Sequence, residues 1–205
     1  MPFEPFMIIA IACAGVSALL VLWFLIRRPT LTTATKLVLL LGIGVLPLMT
    51  AATGNVAGFE ATKQRTFCQS CHVMTPYGND SADPKSTSLA ARHARNALIG
   101  DINCYACHAD YGMYGTVVTK LGGLRHVYLY VTEYRNTPLE EARRTIHIRA
   151  PFQNATCMHC HSTEVPLWQH VPAHASLIDR LRAGSISCAS SGCHGPAHPF
   201  SKDAP

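Results

Sequence analysis

The residues of this chain that could do chemistry are cysteines and histidines at short, repeated spacings. Cys68 and Cys71 are followed by His72, Cys104 and Cys107 by His108, and Cys157 and Cys160 by His161. A fourth pair, Cys188 and Cys193, is set wider apart and again ends on a histidine, His194. Two thiols at this spacing can reach the two vinyl groups on one edge of a porphyrin, and the next residue can place an imidazole under the iron. Extra residues between the thiols can loop out without moving the terminal Cys-His pair, so the fourth copy reads the same way. Zinc is the competing chemistry, because C-x-x-C is a common zinc knuckle. Zinc does not need a histidine after every second cysteine, however, and paired thiols in an oxidising compartment would drift to disulfides. Four covalent haems c are therefore expected. Cys13 stands alone in an apolar run and reads as a packing or lipid-facing residue.

Each iron has a second axial position, whose occupant sets its potential and reactivity. His93, His126, His147, His159, His170, His174 and His198 lie outside the motif ends. His93 and His174 precede the second and fourth motifs on short predicted helices, each long enough to lean over a neighbouring porphyrin. His159 sits inside the third motif and reads as filler. Met74 extends the first motif to C-x-x-C-H-x-M. Apolar packing explains a methionine there, and thioether ligation, which would raise the potential of that iron, explains it too. For the last iron His198, His126, His147, His170 or a partner's residue all remain open.

These residues need elements to hold them. No charged residue occurs between Pro5 and Ile26 or between Leu37 and Phe59, and about 20 helical residues cross a hydrocarbon core of about 30 Å. Two membrane helices, at about 5–26 and 37–57, are predicted within an anchor over residues 1–59, with Pro47 kinking the second. Arg27, Arg28 and Lys36 lie in the loop between them, while Glu4 is the charge before the first. Positive charge marks the cytoplasmic side, so both chain ends should face the periplasm, where haem is attached. A cleaved signal peptide followed by one anchor is less apt, because a basic n-region is missing from Met-Pro-Phe-Glu. Residues 60–205 should form a small, mostly α, loop-rich domain with little strand, in which the porphyrins serve as the core. Helices are predicted over Leu89–Leu98, Thr116–Val131, Pro138–Ile148 and Ala173–Ala183 from their flanking Ser, Pro and Gly signals. The formal charge of +5 would be reversed by the haem propionates, and no basic stripe interleaved with aromatics suggests nucleic acid.

The chain resembles the NapC/NirT family of membrane-anchored tetrahaem quinol dehydrogenases. The likeness runs over about residues 55 to 200. It is carried by the anchor, Phe67-Cys68-Gln-Ser-Cys71-His72-Val-Met74, the helix at His93, Asp110-Tyr-Gly, a basic amphipathic stretch, His174, and the closing Cys193-His194-Gly-Pro-Ala-His198-Pro. The resemblance implies that Met74 or His72 ligates haem 1 at the membrane surface. It implies that His93 and His174 are distal ligands of the central haems, and that the last haem faces a periplasmic partner. Asp110, with Lys120 beside it, would lie near quinol or menaquinol. Family members generally have one anchor helix and a shorter fourth motif, so this chain departs at both ends.

Three functions follow. The first is electron transfer between the quinone pool and a periplasmic or membrane redox protein. A second is a haem-wiring subunit of a larger respiratory complex without its own quinol site. The third is reduction of a small nitrogen or sulfur oxyanion at an open iron. The first is the reading favoured, in the bacterial inner membrane with the haem domain in the periplasm.

Overall fold

In lipid a backbone must satisfy its own hydrogen bonds, so the first apolar run is helical throughout, as α1 (Glu4–Arg27). Arg28 takes a left-handed φ of 44° and ends it before Pro29. Thr32 restarts the chain by accepting the Thr35 N–H, 3.3 Å, and opens α2 (Thr33–Leu39). A π-helical stretch at Leu40–Val45 leads into α3 (Leu46–Ala61). Pro47 explains the wider turn: its ring crowds the carbonyl four residues back and brings no N–H, and the Leu46 N–H reaches Leu41 O instead. Thr33–Ala61 thus runs as one apolar helix, the second of two with the length and composition to cross a membrane.

The computed structural model describes residues 4–146, 153–195, 197 and 198. It divides into two units, Met1–Lys63 and Gln64–Pro205. In the first, α1 lies against α3 through small residues, as lipid-embedded helices require for close approach. A Cβ on Gly42 would stand 3.2 Å from Leu20 Cβ, and Ser17 Oγ donates to Gly42 O at 2.5 Å. Ala10 and Ala57 are buried here, while Ile8, Leu19 and Leu48 face outward.

The second unit is a set of short helices joined by turns. α4 (Arg65–Cys68), α5 (Thr75–Ala82), α6 (Leu89–Ala94) and α7 (Asn103–His108) carry the first two motifs. α8 (Gly115–Leu129) is the longest, and its last turn widens over Tyr130–Tyr134. α9 (Leu139–Thr145), α10 (Asn154–Met158), α11 (Pro166–Gln169), α12 (Pro172–Ala175) and α13 (Ile178–Arg182) follow. No strand occurs among the described residues, in line with the expected mostly α class.

Three predicted helices differ in extent. The one from Leu89 stops at Ala94, where Asn96 N–H bonds back to His93 O. The one expected over Ala173–Ala183 is two pieces, α12 and α13, because Leu177 leaves helical geometry at φ −120°, ψ 5°. The one predicted from Pro138 is seen over Leu139–Thr145; its expected end at Ile148, and His147 with it, lie outside the described residues. Buried apolar residues of this unit are mostly small (Val73, Ala90, Ala91, Ala109, Ala142, Leu181). So thin a protein core gives little stability by itself.

Candidate haem-binding site

The four motifs follow one another in space as they do in sequence. The Cys68 thiol is pulled down to about 7, first by its hydrogen bond with Cys104, whose own thiol is pushed up by the same contact. Cys107, desolvated, also feels Cys157 and Cys160. Burial and then the neighbouring Cys157 push Cys188 up to about 11. Thiols of the first and second motifs are thus adjacent, as are those of the third and fourth, with Cys107 linking the two pairs. None of the motif cysteines is in a disulfide.

Asn154 makes the second of these contacts. Its Nδ2 donates to Leu181 O at 2.8 Å and Ile186 O at 2.6 Å, and its Oδ1 accepts the Cys188 N–H at 2.9 Å. The amide is buried, so each bond matters. It fastens the helix of the third motif to the first cysteine of the fourth. Sequence reasoning missed Asn154, since one asparagine ahead of a motif carries no periodic signal.

The histidines outside the motifs fall into a pattern. His93 Nδ1 bonds Leu89 O at 2.8 Å, and its ring centroid lies 6.1 Å from that of His161, at 89°. His174 Nδ1 bonds Trp168 O at 3.3 Å, its ring stacks on Trp168, and its centroid lies 5.9 Å from His194. A carbonyl accepts only a protonated nitrogen, so in both rings Nδ1 carries the hydrogen and Nε2 the lone pair. A metal stands about 2 Å from an imidazole nitrogen, which puts two imidazoles sharing one metal at centroid distances of about 6 Å. Both pairs meet that spacing, so the donor sets fit bis-histidine iron. His174, expected over a central haem, faces the fourth motif.

His198 repeats the arrangement with a carboxylate. Its Nδ1 is 3.4 Å from Asp80 Oδ2, and its ring meets Tyr77 edge-on. Asp80 is held by Ser86 Oγ at 2.6 Å and Ser88 Oγ at 2.8 Å, and Ala90 N–H bonds Ala197 O at 3.1 Å, docking this segment on α6. The charge of His198 acts on His108. His108 is exposed by surface area, and the protein packed around it, with His198 and His126 adding to the effect, lowers its pKa. His126, on α8, is thus the second histidine beside His108. His159 stacks on Tyr111 at 3.9 Å, and His170 caps α11.

His72 differs. Its Nε2 bonds Thr137 O at 3.0 Å, and its Nδ1 lies 3.4 Å from Tyr130 Oη. The nitrogen that ligates in C-x-x-C-H thus faces a carbonyl, and the hydrogen sits there. Met74 is two positions on, partly exposed at the end of the His72–Met74 turn. Asp110 Oδ1 accepts the Gly112 N–H at 2.7 Å, and the Asp110 N–H donates to Thr119 Oγ1 at 2.8 Å. A Cβ on Gly115 would collide with Asp110 O, so the exposed carboxylate is set by a tight turn. Lys120 Nζ lies 5.1 Å over the Tyr105 ring and its charge acts on Cys68. Asp110, ahead of α8, is thus bonded to Thr119, the chain neighbour of Lys120, and Lys120 lies beside the first two motifs.

Comparison with known proteins gives a family match. The profile of the NapC/NirT cytochrome c family, N-terminal region, matches residues 30–202. The chain is 30% identical to cytochrome c nitrite reductase subunit NrfH of Nitratidesulfovibrio vulgaris, over 62% of this chain and 69% of that one. It is 28% identical to cytochrome c-type protein ImcH of Geobacter sulfurreducens over 58% of this chain. It is 25% identical to cytochrome c-type protein TorC of Escherichia coli over 80%. The matches span 21% of ImcH and 41% of TorC, both much longer proteins. No solved structure matches.

Proposed function

Because the chain belongs to the NapC/NirT cytochrome c family, and so is a membrane-anchored cytochrome c of electron transport, we propose that it passes electrons from membrane quinol to a periplasmic redox protein through four haems c. The observation that carries this reading is the pairing of His93 with His161 and of His174 with His194, at 6.1 and 5.9 Å, with Nδ1 tied back in both outer rings. Bound haem c supplies one-electron iron centres, which suits the stepwise oxidation of a two-electron donor.

The residues divide the work. Cys68 with Cys71, Cys104 with Cys107, Cys157 with Cys160, and Cys188 with Cys193 form the thioethers. His108, His161 and His194 would be the motif ligands of three of the irons. His93 would be the second ligand at the third motif and His174 at the fourth. At the second motif His198, oriented by Asp80, is the ligand, and His126 is the alternative. At the first motif Met74 provides the thioether, since Nε2 of His72 is committed to Thr137 O.

Quinol oxidation releases two protons with its two electrons. Asp110 receives a proton at the oxygen not held by Gly112, and Lys120 steadies the negative charge that develops beside the first motif. The terminal acceptor belongs to the fourth motif, whose His194 and Cys193 are exposed. The relative from Nitratidesulfovibrio vulgaris is by name a subunit of a nitrite reductase, which supports a second reading as the wiring subunit of a complex. Anaerobic stopped-flow reduction of the full-length protein by a menaquinol analogue separates them. Fast, saturable reduction blocked by a quinone-site inhibitor is expected. Slow, non-saturating reduction would overturn the quinol site and leave the wiring reading.

A further inference from the structure

Trp168 meets His174 twice. Its backbone carbonyl accepts from His174 Nδ1 at 3.3 Å, and its indole stacks on the same imidazole, with centroids 4.5 Å apart and planes 18° from parallel. The two contacts fix different things. The hydrogen bond decides which nitrogen carries the hydrogen, leaving the lone pair on Nε2. At 3.3 Å it is longer than an ordinary N–H to carbonyl bond, so by itself it holds the ring loosely about an axis through Nε2. The flat stack removes that freedom, because turning the imidazole about this axis would break the contact between the two ring faces.

The turn that presents the indole is itself anchored. Pro166 opens α11 and Pro172 opens α12, so a fixed φ lies ahead of Trp168 and another ahead of His174. Beside Trp168, Gln169 Nε2 donates to Thr163 O at 3.0 Å. Arg182 Nε donates to Oγ1 of the buried Thr163 at 3.2 Å, and its guanidinium pairs with Glu164. Thr163 stands two positions after His161, so α11 is tied to the tail of the third motif and to α13. The imidazole it covers is half-buried, whereas His194 opposite is exposed.

We propose that Trp168 is a positioning residue for the fourth haem: its indole sets the plane of the His174 ring, 42° from that of His194, and keeps water off that ligand, which holds the potential of this iron up. The role rests on the ligation proposed above and acts through His174. Ferric iron carries one more positive charge than ferrous iron, and water stabilises that charge, so an apolar cover favours the ferrous state. The angle between two axial imidazole planes sets how the iron d orbitals split, and a low-spin ferric centre reports that splitting as its largest g value.

The test is electron paramagnetic resonance and a spectroscopic redox titration of the full-length, haem-loaded protein carrying Trp168→Ala, Trp168→Phe or His174→Ala, with haem content measured in each. Trp168→Ala should keep every haem attached and low-spin, shift the largest g value of one of them and lower one potential. Trp168→Phe, which keeps a stacking face, should return both toward the unmodified protein. Where Trp168→Ala loses haem, Trp168→Leu, which fills the space without a π face, is read against Trp168→Phe by the same criteria. His174→Ala separates this role from the ligation beneath it. A high-spin signal in His174→Ala, with unchanged g values and potentials in the Trp168 variants, would overturn the role of Trp168 and leave the ligation standing. Unchanged low-spin signals in His174→Ala would overturn the ligation at the fourth motif and the proposal with it.

Discussion

At the residue scale the protein depends on which ring nitrogen faces which acceptor. His93 and His174 tie Nδ1 to backbone carbonyls, so on the proposed ligation replacing either would remove an axial ligand without removing a motif. His174→Ala should convert one iron from low to high spin, read by electron paramagnetic resonance, with all the haems still attached. His72 and Met74 make the opposite forecast. Met74→Ala should alter the spectrum and lower the potential of one haem, whereas His72→Ala should leave its ligation in place and cost the Thr137 contact. If His72→Ala removes the ligand signal and Met74→Ala does not, the assignment is reversed. The cysteine-histidine triplets were legible in the sequence because haem attachment demands contiguous residues. The role of each lone histidine was not, because opposing rings lie far apart in the chain, as His93 and His161 do.

At the element scale, short helices are locked together by single buried side chains. Asn154 joins α10 to the segment entering the fourth motif through three hydrogen bonds. Asn154→Ala leaves buried backbone groups unsatisfied, at about 1–3 kcal/mol each. It should lower the thermal midpoint and reduce haem occupancy of the fourth motif, checked by calorimetry and the pyridine haemochrome spectrum. Unchanged occupancy would mean that Cys188 is placed by other contacts. In the membrane unit, Gly42→Val would push a side chain against Leu20, where a Cβ already stands 3.2 Å away. The expected outcome is loosened packing of α1 on α3, seen as faster proteolysis of the loop at Arg28. Apolar runs predicted both spanning helices because length and charge decide insertion. Pro47 predicted a kink, but the widened Leu40–Val45 turn could not be read, since carbonyls adapt to the ring only in the folded helix.

At the scale of the whole molecule, the motifs form a sequence of neighbours rather than a cluster. Cys68 contacts Cys104, Cys107 feels Cys157 and Cys160, and Cys157 contacts Cys188. On the proposed four-haem reading, removing the last station, by Cys188→Ala with Cys193→Ala, should lower haem content from four per chain to three. Reduction by a menaquinol analogue should then proceed while transfer to the periplasmic acceptor is lost. Full transfer with three haems would place the exit elsewhere. By itself the sequence determined the cofactor chemistry, the membrane segments and the helical class, because each rests on residues close together in the chain. Only the tertiary structure decided which outlying histidine meets which motif, that Nε2 of His72 faces a carbonyl, and that Asn154 joins two motifs. Each of those depends on distances between segments that the chain brings together only when it folds.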